Sequence, residues 1–393
     1  MGTRPINPTR SHRPAARQPL THAGHWAEWA PSQAYTVGIE EELLLLDPRD
    51  WSLAQRTDDV LTRLSPNLSP HAAAETHEAA IELATLPHGT AVAAAREAAG
   101  LRAALAANLA DSGLRAASSG THPFAIWTDT QVSSGARYQL VYESMRELAR
   151  REPTFALHIH VGVPDPDSAV ELLNRLRAHI PLLLALSANS PYWQGRDSGF
   201  CSVRTPIFQA FPRVGIPRVF SSYGDYVETV DQLLRSDAFP EPTFLWWDVR
   251  LQPSLGTVEL RIMDAQRTPA QTAALVAAVQ TIAHLELEEG YHPPELIEAS
   301  ELLDENRFLA ARDGMNAELI DPIHEARVPA RDQLADLVAA GLPHAQELGC
   351  EQAFEGLEDL ARMNGAAWQR LVAQGSGLRG LVAALSSGFD ESM

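Results

Sequence analysis

Three short segments place ionisable side chains two residues apart. Tyr35-Thr-Val-Gly-Ile-Glu-Glu-Glu-Leu-Leu-Leu reads as a strand, whose alternation sets Val37, Ile39, Leu43 and Leu45 on one face and Gly38, Glu40 and Glu42 on the other. Phe155-Ala-Leu-His-Ile-His-Val-Gly-Val sets Phe155, Leu157, Ile159, Val161 and Val163 opposite Ala156, His158, His160 and Gly162. Thr257-Val-Glu-Leu-Arg-Ile-Met buries Val258, Leu260 and Ile262 and projects Glu259 together with Arg261. One face of a sheet can simply point to water, but such faces carry Thr, Lys, Gln and Ser, whereas these three hold Glu, His and Arg. Two carboxylates at i and i+2 repel each other, so a cation belongs between them. Gly38, Ala156 and Gly162 leave room there for a ligand.

A fourth segment, Glu75 to Thr85, adds Glu75, Glu78 and Glu82. As helix it would bring Glu75 and Glu82 to one face, two turns apart. If Ile81 to Thr85 is strand, Glu82 still points opposite Ile81 and Leu83; a solvated acidic helix edge is the plain alternative. Oxygen-rich ligand sets with a single imidazole suit magnesium or manganese better than zinc. Four or five glutamates overload one ion, so two or three ions carrying the phosphates of a nucleotide match the charge better.

Composition narrows the chemistry further. The 393 residues contain 31 basic and 50 acidic side chains, and no lysine, so every fixed side-chain cation is an arginine. That excludes a Walker-A loop, a pyridoxal Schiff base and adenylate or biotin carried on lysine. Phosphate charge must be met by metal ions and arginine. A net charge of -19 disfavours a nucleic-acid partner. Cys201 and Cys350 form no CxxC, which argues against a thiolate zinc site or a disulfide framework and fits a reducing, cytoplasmic setting. Cys201 reads as a small buried thiol rather than a nucleophile. No apolar run of about 18 residues suggests a membrane span.

The elements that must position these side chains follow from periodicity. Helices are expected over Ala91 to Leu109, Tyr138 to Arg150, Ser168 to Ser187 with Pro181 inside, Gln271 to Glu289, Ala330 to Ala340 and Gln346 to Met363. Strands and helices do not alternate regularly, so an α+β fold is expected rather than a doubly wound parallel sheet. Residues 1 to 33 are rich in Pro, Arg, His and Ala, with a net charge of +3, and read as a disordered tail ahead of a single domain over 34 to 393. An Arg-rich start is also shared by transit peptides, but the amphipathic apolar stripe of those is missing.

Taken in order, the motifs resemble the type-2 glutamate-cysteine ligase family, in particular its bacterial carboxylate-amine ligase branch. They are Val37 to Pro48, Glu75 to Thr85, Gly120-Thr-His-Pro-Phe-Ala125, Leu157 to Pro164, Leu186 to Asp197, Trp246-Trp-Asp-Val-Arg250, Thr257 to Arg261, Asn306-Arg307 with Ala310-Ala-Arg312, and Asn364-Gly365. The resemblance implies a glutamine-synthetase-like curved antiparallel sheet forming a funnel backed by helices. It implies ATP-dependent formation of a γ-glutamyl amide through an acyl phosphate, with ATP and magnesium (or manganese) and with glutamate and an amine such as cysteine as substrates. By family analogy Glu40, Glu42, Glu75, Glu82, His158 and Glu259 are metal ligands, and Arg261 contacts the transferring phosphoryl group, with Glu40 and Glu259 also catalytic. Arg204, Arg250, His122 and His160 are candidates for holding substrate carboxylates or nucleotide; against this, Arg250 could pair with Asp248 and His122 could cap the turn before Pro123. Ala80 stands where many relatives have glutamine, and Phe155-Ala156 replaces a usual Cys-Gly pair. These departures, with the segment at Phe200-Cys201, keep open another amine or another acid as substrate, and a non-catalytic nucleotide- or metal-binding protein is the reading from a different class. Homo-oligomerisation stays open.

Overall fold

The computed structural model describes residues 24–151 and 153–391. Its centre is an eight-stranded sheet whose pairings are all antiparallel. In chain order the strands are β1 (Val37–Asp47), β2 (Ser52–Leu53), β3 (Ala72–Ala74), β4 (Ala80–Ala84), β5 (Arg115–Ala117), β6 (Ala156–Gly162), β7 (Val249–Gln252) and β8 (Thr257–Asp264). The main path across the sheet is β7-β8-β6-β1-β4-β3, with β2 and β5 paired to the far end of β1.

Most helices cover one face, while the C-terminal helix packs on the other face at the far end of β1, against Leu44 and Leu46. The helices used below are α1 (Ala91–Asp111), α2 (Ala136–Met145), α3 (Pro166–Leu176), α4 (Ile180–Ser187), α5 (Pro269–Glu289), α6 (Ser300–Asp313), α7 (Ala330–Glu347) and α8 (Gly365–Ser387). Val37, Ile39, Leu157, Ile159, Val161, Val258 and Leu260 pack with Ala274 to Val279 of α5 and with Leu172, Leu173 and Leu176 of α3 in one apolar cluster. Farther along β1, Leu43 and Leu45 join Ile81 and Leu83 against Leu101, Leu105 and Leu109 of α1. The alternation expected for β1 holds, as does that of β6 from Leu157 onward, but Phe155, expected on the same apolar face, precedes the strand and packs with Leu44 and Leu46 on the other side. The α+β architecture with helices behind an antiparallel sheet is the observed one. Among the described residues no helix is long and apolar enough to cross a membrane.

Several boundaries differ from expectation. Of the two readings open for Glu82, the strand is the observed one, with bounds one residue earlier at Ala80–Ala84. The segment expected as one helix over Tyr138 to Arg150 breaks at Arg146, where φ is +57°. Pro181 does not interrupt a helix. It sits in the first turn of α4, after α3 has ended and a 3-10 turn over Arg177–His179 has intervened, because the first turn is where a missing N–H costs least.

The expected tail divides. Residues 1 to 23 lie outside the described residues, but 24 to 33 pack on the domain. Trp26 Nε1 donates to Asp231 at 2.8 Å, Trp29 Nε1 donates to the Val163 carbonyl, and the Ala30 amide donates to the Pro253 carbonyl. Two tryptophans supply apolar area that the Arg- and Pro-rich composition of the segment as a whole conceals.

The central residue of the Glu triplet takes part in the fold itself. Glu41 faces the helices and is 1% exposed. Arg102 of α1 grips it with Nε at 2.7 Å and Nη2 at 2.6 Å, and Thr272 of α5 donates at 2.8 Å. The same guanidinium donates to the carbonyls of Gln266, Arg267 and Phe389, so one buried ion pair joins β1, α1, the entry to α5 and the C-terminal end.

Candidate active site

The sheet register assembles the ionisable face in rows. Arg250, Glu259, His160 and Gly38 are consecutive partners across β7, β8, β6 and β1. In the next row Glu40 stands opposite His158, and in the third Glu42 stands opposite Glu82. A bulge between Leu260 and Met263 locally re-aims β8 and puts Asp264 opposite Ala156. Arg261, at that bulge, brings Nη1 to 3.4 Å from His158 Nδ1. Glu75 arrives from the turn between β3 and β4.

These rows open on a cavity of about 270 Å³. Its lining includes Glu40, Glu42, Glu75, Glu82, His158, Arg204, Arg250 and Arg261, eight of the residues singled out in the sequence. Glu259 lies beneath them, fully buried, and His160 sits beside Glu40 with Nε2 3.3 Å from its carboxylate.

The carboxylates differ in how their charge is met. Glu259 accepts from Arg250 Nε at 2.7 Å and from Gln252 Nε2 at 2.7 Å, and pairs with Arg261. Burial alone would raise its pKa; Arg250 and Arg261 hold it well below the usual range. Glu40 is also pushed up by burial, but the hydrogen bond with His158 and the close approach of the His160 imidazole outweigh this and hold it low. Glu42 goes the other way: burial, then the Glu75 charge, lifts it to about 7 against the pull of Arg204 and Arg261. Burial and its carboxylate neighbours Glu40, Glu75 and Glu42 raise Glu82 well above the ordinary carboxylate range. Burial and Arg261 lower His158 to about 4, so its imidazole is neutral and can act as a ligand at neutral pH.

That imbalance fits divalent cations. Ligand atoms of Glu40, His158 and Glu259, and of Glu42, Glu82 and His158, each lie within 4.8 Å of one another. Among the described residues neither Glu42 nor Glu82 forms a salt bridge with an arginine, although both are largely withdrawn from water. Buried carboxylates without a counter-charge either keep their protons or take a metal.

Other residues sit elsewhere or act differently. His122 does not reach the cavity. Its Nε2 meets the Trp51 carbonyl at 2.8 Å and its Nδ1 accepts from the Phe124 and Ala125 amides, so it caps the turn before Pro123 and has no nitrogen left for substrate. Arg250 pairs with Glu259, not Asp248, and its Nη1 is spent on the Thr243 and Leu245 carbonyls; Asp248 instead binds Arg307 at 2.5 and 3.2 Å. Arg204 donates Nη1 to the Ile262 carbonyl and Nη2 to the Arg261 carbonyl, while its buried Nε has no partner among the described residues. Gly162 leaves no ligand room: a Cβ there would lie 2.3 Å from Thr36 Oγ1 and 2.6 Å from the Gln33 carbonyl oxygen, so the absent side chain admits the chain entering β1. Gly120, in contrast, has its reason in Asp264, whose carboxyl carbon would be 2.6 Å from a Cβ at that position.

Sequence reasoning missed the apolar wall. Tyr138 and Val141 of α2, with Phe208 from the short helix Arg204–Phe208, Phe211 just after it and Trp246 from the two-residue strand Trp246–Trp247, complete the lining. Only Trp246 lay in a quoted motif; the others come from segments whose position relative to the sheet no local period specifies.

Comparison with known proteins gives the family. A model of glutamate-cysteine ligase family 2 matches residues 36–383. A Rubrobacter xylanophilus protein named "Putative glutamate--cysteine ligase 2-1" is 39% identical over 347 residues, covering 88% of this chain and 92% of that one. A Herpetosiphon aurantiacus protein named as a member of the same series is 33% identical, over 87% and 89%. Among solved structures, the glutamate-cysteine ligase of Francisella tularensis in complex with AMP superposes with a TM-score of 0.66 at 15% identity, over 92% of this chain and 89% of that one. A bifunctional glutathione synthetase from Pasteurella multocida gives 0.67 at 13% identity, over 90% of this chain and 52% of that one. The chain thus belongs to glutamate-cysteine ligase family 2, and is an ATP-dependent ligase of that family.

Proposed function

We propose that residues 34 to 393 act as one catalytic unit that joins the γ-carboxylate of glutamate to an amine at the cost of ATP, through an acyl phosphate. The observation that carries this reading is the convergence of Glu40, Glu42, Glu75, Glu82, His158 and Arg261 on one cavity in which carboxylate charge exceeds the cations the chain supplies. Glu40, Glu42, Glu75, Glu82, His158 and Glu259 would hold magnesium or manganese. Bound there, the ions would neutralise the ATP phosphates and polarise the phosphoryl group.

The chain's own residues account for the rest. Transfer of a phosphoryl group to a carboxylate brings two anions together, so positive charge at the meeting point is the main requirement. Arg261 supplies it. Glu259 anchors the guanidinium and keeps it charged. Arg250, spent on Glu259 and backbone carbonyls, orients that anchor rather than binding substrate. Arg204 offers its unpartnered Nε–H to an anionic oxygen of nucleotide or substrate. His160 holds Glu40 in place through Nε2 while its Nδ1 is fixed by Thr257 at 2.9 Å. The apolar wall of Val141, Phe208, Phe211 and Trp246 limits water around the acyl phosphate until the amine attacks.

The same wall supports a second reading, in which the chemistry is kept and the acceptor is a bulkier or more apolar amine than cysteine. ADP release with glutamate, magnesium and a panel of amines tests both. Turnover that saturates with glutamate and cysteine at ordinary concentrations favours the first; preference for a larger amine in competition favours the second. ATP binding with no phosphate release under any acid and amine combination would leave only a nucleotide-binding role. Glu40→Gln should abolish ADP release while the far-ultraviolet circular dichroism stays that of the parent, and turnover at the parental rate would refute the metal assignment.

A further inference from the structure

A second cluster of ligand-type side chains lies behind the sheet, on the helical face away from the cavity. Glu286 occupies the last turn of α5 and is fully buried. A carboxylate there meets the negative end of the helix dipole, so it needs a cation more than most. Its nearest arginine is a poor one: Arg175 Nη1 stands at 3.4 Å, and the same guanidinium is engaged by Glu171 at 3.0 Å. Two imidazoles flank it instead. His179, 2% exposed, ends the 3-10 turn between α3 and α4 and brings Nε2 to 2.6 Å from Glu286 Oε1. The second follows from the end of α5. Gly290 terminates the helix at φ +65°, which turns the chain back and sets the His292 amide 3.4 Å from Glu286 Oε2.

The His292 ring lies 4.4 Å from that of His179, centroid to centroid, and among the described residues neither of its nitrogens has a hydrogen-bond partner. One ligand atom from each of His179, Glu286 and His292 falls within 4.8 Å of the others. In a tetrahedral zinc site with bonds of about 2.0–2.1 Å the ligand atoms are about 3.3 Å apart, so an ion would part the 2.6 Å contact between His179 and Glu286 and take the place of that hydrogen bond. On their outer side His179 and His292 border a cavity of about 270 Å³ that also reaches Tyr291, Asn306 and Asp321, so a fourth position has room for water or an added ligand.

We propose that His179, Glu286 and His292 form a transition-metal site, distinct from the ligase centre and independent of the reading given for it. Two imidazoles and one carboxylate select zinc or cobalt over magnesium. Bound there, the ion would cross-link the end of α5 to the junction of α3 and α4 and complete the charge of Glu286.

The test uses the full chain, stripped with a chelator and titrated with Co²⁺ alone. Because the catalytic carboxylates are common to wild type and His292→Ala, the difference between their spectra isolates this site. Wild type should show the strong visible absorption of four-coordinate cobalt and His292→Ala should lose it; in a separate sample reloaded with zinc and dialysed, His292→Ala should hold one equivalent less by elemental analysis. His292→Cys should keep the metal and add a thiolate-to-cobalt charge-transfer band, which no purely structural role of His292 would produce. Equal spectra and equal zinc content in wild type and His292→Ala, or no new band in a folded His292→Cys chain, would overturn the proposal.

Discussion

Strand β1 carries three consecutive glutamates and treats them in two ways. Glu41 faces the helices, where Arg102 and Thr272 meet both of its oxygens. Glu40 and Glu42 face the cavity. Glu40 is held by two histidines, while Glu42 faces Glu82 across the ladder with no arginine among the described residues paired to either. Among the described residues the fold thus gives an arginine to the carboxylate that joins β1 to its helices and none to the pair that faces the cavity. A buried charge without a partner is costly, so Glu42 and Glu82 either keep their protons or take a cation from outside the chain.

The largest effect should come from breaking the compensated side. Arg102→Met leaves Glu41 buried without its guanidinium and frees three carbonyls at the junction of α1, α5 and the C-terminal end. Losing one partner of a buried pair costs about 3–5 kcal/mol. Chemical denaturation should show that loss, and a midpoint within error of wild type would mean the pair is not the clamp described here.

On the uncompensated side the sign reverses. Glu42 is raised from 4.5 to about 7 by burial and by Glu75. Below 4.5 it is protonated folded or unfolded and contributes no difference. As pH rises through 4.5 the unfolded chain ionises freely while the folded chain resists, so wild type loses stability until about pH 7, by roughly 3 kcal/mol at 1.36 kcal/mol per pKa unit. Glu42→Gln never pays this. In metal-free protein the variant should match wild type near pH 4.5 and melt increasingly above it up to about pH 7; added Mg²⁺ should close the gap by stabilising wild type alone. A pH-independent offset would show that Glu42 is not the uncompensated group. The same variant should be inactive, so stability and turnover move in opposite directions.

How much of this was legible depends on the range of the interaction concerned. Alternation within β1, β6 and β8 exposed Glu40, Glu42, His158, His160, Glu259 and Arg261 because sheet geometry converts a local period directly into a face. The role of Glu41 was invisible: alternation puts it among apolar residues, and its partner lies 61 positions away on another element. His122 misled for a related reason, since a histidine beside Pro123 looks the same whether its nitrogens meet substrate or the local backbone. The aromatic wall and the packing of residues 24 to 33 depend on how segments without a period fold back onto the sheet, and composition averaged over the first 33 residues hid the two tryptophans that anchor them.

Arg204 falls between the two regimes and offers the smallest and most discriminating test. Its Nη atoms are spent on the carbonyls of Arg261 and Ile262, as a structural cation's would be, yet its Nε is buried with no partner among the described residues and the residue lines the cavity. Arg204→Lys keeps a charge at the site but removes the planar fork and with it the spare donor. If the Nε–H serves a bound anion in the ground state, KM for ATP or for glutamate should rise about tenfold, equivalent to about 1.4 kcal/mol, with kcat nearly kept. If Arg204 only pins the β8 bulge that aims Arg261, kcat should fall instead and KM should hold. The split between the two constants therefore decides whether this guanidinium belongs with Arg102, as part of the frame, or with the charge that the frame holds ready for substrate.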